Sequence, residues 1–143
     1  MNLNPGSRVL VVDDDKVIRF ILQAMFEAEG YAVVCAENGL EALKLLACEH
    51  PAATKLPFEI MVLDVMMPQM SGLEMLQEVR RDARLADLPV LMLTAEASPE
   101  DEARGYAAGA DFFMAKPFDR RQLLEGVCAA LARHHSTNKD KTT

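Results

Sequence analysis

A parallel five-stranded α/β sheet with helices on both faces follows from three features of this sequence. Short apolar runs rich in β-branched residues alternate five times with segments of helical period. Four of those helical segments open on capping residues, and neither an internal repeat nor a second domain interrupts the alternation. Alternation of this kind builds a parallel sheet, because each crossover helix must carry the chain back to the start of the next strand.

The first expected strand, residues 8–12, is Arg8-Val9-Leu10-Val11-Val12 and ends on Asp13, Asp14 and Asp15. A run with no polar alternation suits a strand buried on both faces. Ile18, Ile21, Leu22, Met25 and Phe26 then recur at helical spacing, and Gly30 is placed to end that helix. Residues 31–36 form the second expected strand. Asn38 with Glu41 opens a helix that carries Leu43, Leu46 and Ala47. The polar stretch 48–57 holds two prolines and is expected to be a loop.

Residues 58–63 form the third expected strand, which delivers Asp64. Ser71 and Glu74 have capping-box spacing ahead of Leu73, Leu76 and Val79. Residues 89–93 lead to Thr94 as the fourth strand. Ser98, Pro99 and Glu100 start a weakly apolar helix through Ala103, Ala107 and Ala108, with Gly105 inside it. Residues 111–115 form the fifth strand and end at Lys116. Asp119 with Gln122 caps a last helix bearing Leu123, Leu124, Val127 and Leu131. The domain is expected to span 8–133, after a lead-in at 1–7 and before a polar, disordered tail at 134–143.

Composition narrows the function classes. Half of the 143 residues are hydrophobic, enough for one sizeable core. A net charge of −7 argues against a dedicated nucleic-acid binder, which presents a basic face. No apolar stretch is long enough to span a bilayer, and the N-terminus lacks the pattern of a secretory signal. Cys35, Cys48 and Cys128 form no pair with metal or redox spacing, so free thiols in a reducing cytoplasm are expected. His50, His134 and His135 do not complete a zinc site. Arg80, Arg81, Arg120 and Arg121 read as solvated helix faces, and Met61, Met66, Met67 and Met70 as packing and loop.

The chemistry lies at the carboxyl ends of the strands, where open parallel sheets bind ligands. Asp13, Asp14, Asp64, Thr94 and Lys116 all fall there. Two carboxylates about 4 Å apart repel by roughly 4 kcal/mol at an effective dielectric near 20, so such a cluster favours a cation among its members. Hard oxygen ligands suit Mg²⁺, and the Lys116 ammonium with the Thr94 hydroxyl suits phosphoryl oxygens. A nucleophilic carboxylate among these groups fits phosphoryl transfer to aspartate. Each residue alone has a plainer reading: an acidic helix cap, a surface lysine, a loop hydroxyl.

From about Arg8 to Arg133 the chain resembles the receiver domains of response regulators in two-component signalling. The matching pieces are Val9-Leu10-Val11-Val12-Asp13-Asp14-Asp15, Leu63-Asp64-Val65-Met66-Met67-Pro68-Gln69-Met70-Ser71-Gly72, Leu93-Thr94-Ala95 and Lys116-Pro117-Phe118. The resemblance implies a flavodoxin-like sheet in strand order 2-1-3-4-5. It implies Asp64 as phosphoacceptor, and a Mg²⁺ (or Mn²⁺) site formed by Asp13, Asp14, Asp64 and the Met66 backbone carbonyl. Lys116 would pair with the phosphoryl group. Thr94 would be the switch hydroxyl and Phe113 the switch aromatic that turns inward, although a Phe on a buried strand is otherwise simply core. The Lys116–Pro117 bond is commonly cis in this family. Met66 and Glu96 hold positions that tune dephosphorylation.

The implied partners are a sensor histidine kinase or histidine phosphotransfer protein, and a downstream protein reached through the fourth helix, fifth strand and fifth helix. Homodimerisation through that face on phosphorylation is a further expectation. The location implied is cytoplasmic, as a stand-alone regulator or a piece of a larger protein. Two readings compete. Asp13-Asp14-Asp15-Lys16-Val17 matches the D-x-D-x-[TV] pattern of haloacid-dehalogenase phosphatases. That reading gives Asp64 no strong role, and the paired acids it needs after Lys116 are missing. The other is a receiver-like interaction module that never gains phosphate. A flavin-binding domain of similar topology is disfavoured by three aspartates where a phosphate loop should be.

Overall fold

The computed structural model describes residues 6–48, 57–95 and 98–142, with side chains for all of these except Cys48 and 134–142. The elements run β1 (Arg8–Val12), α1 (Lys16–Ala28), β2 (Ala32–Ala36), α2 (Gly39–Cys48), β3 (Ile60–Asp64), α3 (Gly72–Arg81), β4 (Val90–Thr94), α4 (Pro99–Ala108), β5 (Phe112–Ala115) and α5 (Arg120–Thr142). All adjacent strands pair in parallel, in the order β2-β1-β3-β4-β5. The flavodoxin-like α/β fold expected from the sequence is the one observed.

Alternate residues of each central strand feed opposite faces of the sheet, as the two-residue period of a strand requires. Leu10, Val12, Met61, Leu63, Val90 and Met92 pack with α2 and α3, and the half-buried Tyr106 of α4 joins them. Val9, Val11, Ile60, Val62, Leu91 and Leu93 pack with Leu22 and Phe26 of α1 and with Leu123 and Val127 of α5. Every residue of β3 and β4 is buried, which is why those runs show no polar alternation.

The helix boundaries follow the local chemistry. Asp15 caps α1 by accepting from the Val17 and Ile18 N–H groups. Gly30 follows that helix at φ +89°, while the Tyr31 N–H returns to the Phe26 carbonyl. Ser71 and Glu74 close a full capping box on α3. Asp119 and Gln122 bond reciprocally at the start of α5. Ser98 caps α4, whose only buried residue is Gly105.

Two expectations are corrected. The polar segment from His134 is helical to Thr142 rather than irregular. After Gly126 the chain has no Pro or Gly to stop a helix already nucleated, and extending a helix costs little compared with starting one. Arg80 is not a solvated helix face. Its side chain is 18% exposed and pairs with Asp111, whereas Arg81 beside it is 70% exposed. The guanidinium of Arg80 donates to the carbonyls of Gly109, Ala86 and Leu88 as well as to the Asp111 carboxylate. Residues 49–56, which hold most of the expected loop at 48–57, lie outside the described residues.

Candidate functional site

The register of the parallel sheet brings the ends of β1, β3, β4 and β5 side by side. Val12 is level with Leu63, Asp64 with Leu93, and Thr94 with Ala115. The next residue along β1 is therefore Asp13, and the next along β5 is Lys116. Asp13 is 1% exposed, Asp64 4% and Thr94 1%. Asp14 faces solvent, which leaves one side of the cluster open.

Carboxylate oxygens of Asp13, Asp14 and Asp64 all lie within 4.8 Å of one another, so these three could hold a metal ion. Octahedral ligands at about 2.1 Å from a small divalent cation lie about 3.0 Å apart when adjacent and about 4.2 Å apart when opposite, so the three carboxylates would draw in around a bound ion. The Lys116 ammonium reaches across to Asp13 Oδ2 at 2.9 Å and Asp64 Oδ1 at 3.3 Å. The Lys116 N–H donates to the Thr94 carbonyl at 2.7 Å, which ties the end of β5 to β4. The Lys116–Pro117 bond is cis.

Burial pushes the Asp64 carboxyl up to about 6, and the charge of Asp13 adds to the rise. Lys116 and the Met66 N–H, both hydrogen-bonded to Asp64, pull it back only in part. Burial lowers Lys116, but bonding to Asp13 and the charges of Asp13 and Asp64 more than offset this and leave it above its ordinary value. One lysine thus sits between two buried acids, and Asp64 is hard to ionise.

This has a measurable consequence. Because the folded-state value of Asp64 lies above the ordinary 3.8, the folded protein binds that proton more tightly than the unfolded chain. With divalent cations chelated, stability should therefore fall as pH rises from 3.8 to about 6, and the contribution should be constant above that. Asp64→Asn should remove this slope. At pH 7 it should also stabilise the cation-free protein by about 1 kcal/mol, a value discounted for solvent screening. Urea unfolding in EDTA across that pH range measures both. A wild-type curve that rises with pH and matches the variant would contradict the burial of a repelled carboxylate.

Two residues near the site are not among the site residues expected from the sequence. Arg19, one turn into α1, donates to the Asp13 carbonyl at 2.8 Å and braces the turn between β1 and α1. Gly72 starts α3 against the end of β3. A Cβ there would come within 2.1 Å of the Asp64 carbonyl oxygen, so only glycine permits this close approach. The pairing of Leu63-Asp64 with a glycine eight residues on was the available sign, but nothing local says what that glycine touches.

Met66, two residues beyond Asp64, has a side chain that is 70% exposed. Phe113 is 7% exposed and belongs to the core on the α3 and α4 side. Glu96 lies outside the described residues. Cys35 and Cys128 are half-buried and form no disulfide among the described residues. Among the described residues no helix is long and apolar enough to cross a membrane.

The sequence matches the family model for the response regulator receiver domain across residues 9–127. Solved structures agree. The chemotaxis protein CheY4 of Vibrio cholerae is 36% identical, with a TM-score of 0.78 over 88% of this chain and 99% of that one. A CheY-like response regulator receiver domain protein from Methanospirillum hungatei is 29% identical, with a TM-score of 0.77 over 92% and 98% of the two chains. The receiver domain of the Francisella response regulator 1452 is 31% identical, with a TM-score of 0.76 over 90% and 98%.

Proposed function

The chain belongs to the response regulator receiver domain family, and from that premise we propose that Asp64 is the phosphoacceptor of a two-component phosphorelay. One observation carries this reading. Three carboxylates and one ammonium, drawn from the ends of β1, β3 and β5, converge on a single half-open site, with Lys116 Nζ 3.3 Å from Asp64 Oδ1.

In the proposed reaction an Asp64 oxygen attacks the phosphorus of a phosphohistidine on a sensor kinase or a histidine phosphotransfer protein. The P–O bond forms as the P–N bond breaks, and the departing imidazole nitrogen takes a proton from solvent. Lys116 transfers its pairing from the two carboxylates to a phosphoryl oxygen, and the Thr94 hydroxyl donates to another. Asp14, Asp64 and the Met66 carbonyl would hold Mg²⁺ or Mn²⁺ directly, and Asp13 through water. Such a cation supplies positive charge to ionise Asp64 and to neutralise the incoming phosphoryl oxygens.

Phosphorylation then biases a two-state equilibrium read on the face of α4, β5 and α5 by a downstream protein, or by a second copy of the chain. α4, with Gly105 as its only buried residue, is an element that can shift at low cost. The domain acts as a signalling phosphoacceptor, turning over only its own phosphoryl group.

Incubation of the protein with acetyl phosphate and Mg²⁺ should add one phosphoryl group by intact mass. No gain in folded protein, together with no binding of beryllofluoride, would leave a receiver-like interaction module instead. The exposed Met66 makes a second prediction. An apolar side chain at the open side hinders a water in line with the aspartyl phosphate, so Met66→Asn should shorten the phosphoryl lifetime several-fold. An unchanged lifetime would remove that role.

A further inference from the structure

A glycine in the middle of a helix is costly. It is less favourable there than alanine, because it loses more freedom on folding. Gly105 sits in this position in α4, a helix with little else buried to hold it. The absent side chain leaves a space that another group fills. A Cβ built on Gly105 would lie 2.8 Å from Cδ2 and 2.9 Å from Cε2 of Phe113, and 3.6 Å from the Met92 sulfur. The last is an ordinary contact; the first two are closer than atoms can pack. The Phe113 ring on β5 thus rests against the backbone of α4, and it is buried within the core.

We propose that Gly105 is the seat of Phe113: its missing side chain lets the ring lie inward in the resting chain, so position 105 sets the resting balance of the output face. The proposal rests on the receiver reading and specifies how that site is regulated. It changes what phosphorylation has to do. The ring is already inward, so the response lies in how α4 and β5 move together around a packed aromatic, and not in a swing of the ring from solvent. A rigid ring cannot bend away from a new methyl group as a methionine could, so any side chain at 105 forces a choice. Either Phe113 turns outward or α4 lifts off the sheet. Both carry the output face away from its resting form.

The test has two arms. A double-mutant cycle in thermal unfolding uses Gly105→Ala, Phe113→Leu and the pair. Alanine is the better helix former, so Gly105→Ala should raise the melting midpoint where the seat is empty and lower it where the ring occupies it. The expected result is a fall in the wild-type background, where Phe113 fills the seat. In the Phe113→Leu background, where the side chain is smaller and flexible, the same change should give a rise. A rise of similar size in both backgrounds would overturn the seat.

In the second arm, the protein is labelled with 4-fluorophenylalanine and the Phe113 resonance is identified by its loss in Phe113→Leu. On treatment with acetyl phosphate and Mg²⁺, followed by intact mass, wild type should keep a solvent-shielded resonance before and after phosphorylation. In Gly105→Ala the resting population of the shielded form should fall by roughly tenfold. A wild-type resonance that begins exposed and becomes shielded as mass shows phosphoryl gain would overturn the proposal while upholding the receiver reading. No phosphoryl gain, together with no binding of beryllofluoride, would remove the phosphoacceptor reading and with it the regulatory meaning of the seat; the unfolding cycle would still decide the packing.

Discussion

Asp64→Asn should take up no phosphoryl group from acetyl phosphate, whereas wild type should gain one in a Mg²⁺-dependent way. The substitution changes almost nothing but chemistry. Asparagine has nearly the same size and shape and can still accept a hydrogen bond from Lys116, but its amide oxygen is a poor nucleophile and carries no charge to attract a cation. The cation-free variant should fold at least as well as wild type, because burial and Asp13 already disfavour the Asp64 charge. Loss of uptake therefore cannot be put down to unfolding. Asp13→Asn and Asp14→Asn separate the competing mechanisms. In a receiver they weaken cation binding and slow uptake on Asp64; in a haloacid-dehalogenase phosphatase, Asp13→Asn would remove the nucleophile and Asp64→Asn would leave uptake intact. Retained mass gain in Asp64→Asn would sink the assignment of this residue.

Arg80→Ala should cost about 3–5 kcal/mol of stability, the usual consequence of breaking a buried, hydrogen-bonded ion pair. The side chain ties four parts of the chain together. From α3 it reaches the end of α4 at the Gly109 carbonyl, the turn before β4 at Ala86 and Leu88, and the start of β5 at Asp111. Asp111 in turn accepts from the Val90 N–H at 2.9 Å, so the network also fixes the first residue of β4. Removing the guanidinium takes the charged donor from three carbonyls and from a buried carboxylate, which costs more than the lost bonds themselves. A fall of roughly 10 °C or more in melting midpoint is expected for a domain of this size. Arg80→Lys keeps the charge but not the planar fork, and should recover only part. Arg81→Ala, on the solvated side of the same helix, should change stability by less than about 0.5 kcal/mol. Equal effects of Arg80→Ala and Arg81→Ala in urea unfolding would mean that the network contributes nothing.

These two residues differ in how far the sequence announces them. Asp64 closes an apolar strand and begins a recognisable motif, so its position at the sheet edge follows from the strand alone. Arg80 belongs to a pair of arginines at the end of an amphipathic helix, where solvated cations are the ordinary outcome. Two of its partners, Gly109 and Asp111, lie 29 and 31 positions away, and nothing in their own neighbourhoods marks them. The helical course of residues 134–142 was equally hidden, because polar residues suit a solvated helix and an irregular tail alike. Phe113 reads on the sequence as core or as switch; the contact that bears on the choice is made with Gly105, eight positions back on another element.

The sequence by itself determined the fold and the edge of the sheet at which chemistry gathers. Apolar runs must be buried on both faces, crossovers between parallel strands have one hand, and each run ends on a polar residue whose place in space then follows. What only the tertiary structure decided is how those residues act on one another. Lys116 and Asp13 stand 103 positions apart, yet 2.9 Å separates their charged atoms. The elevated value of Asp64, the bracing by Arg19 and Arg80, and the fit of Phe113 over Gly105 all depend on distances of a few ångströms between segments remote in the chain. Electrostatic and packing energies change steeply over such distances, and composition and spacing along the chain do not encode them.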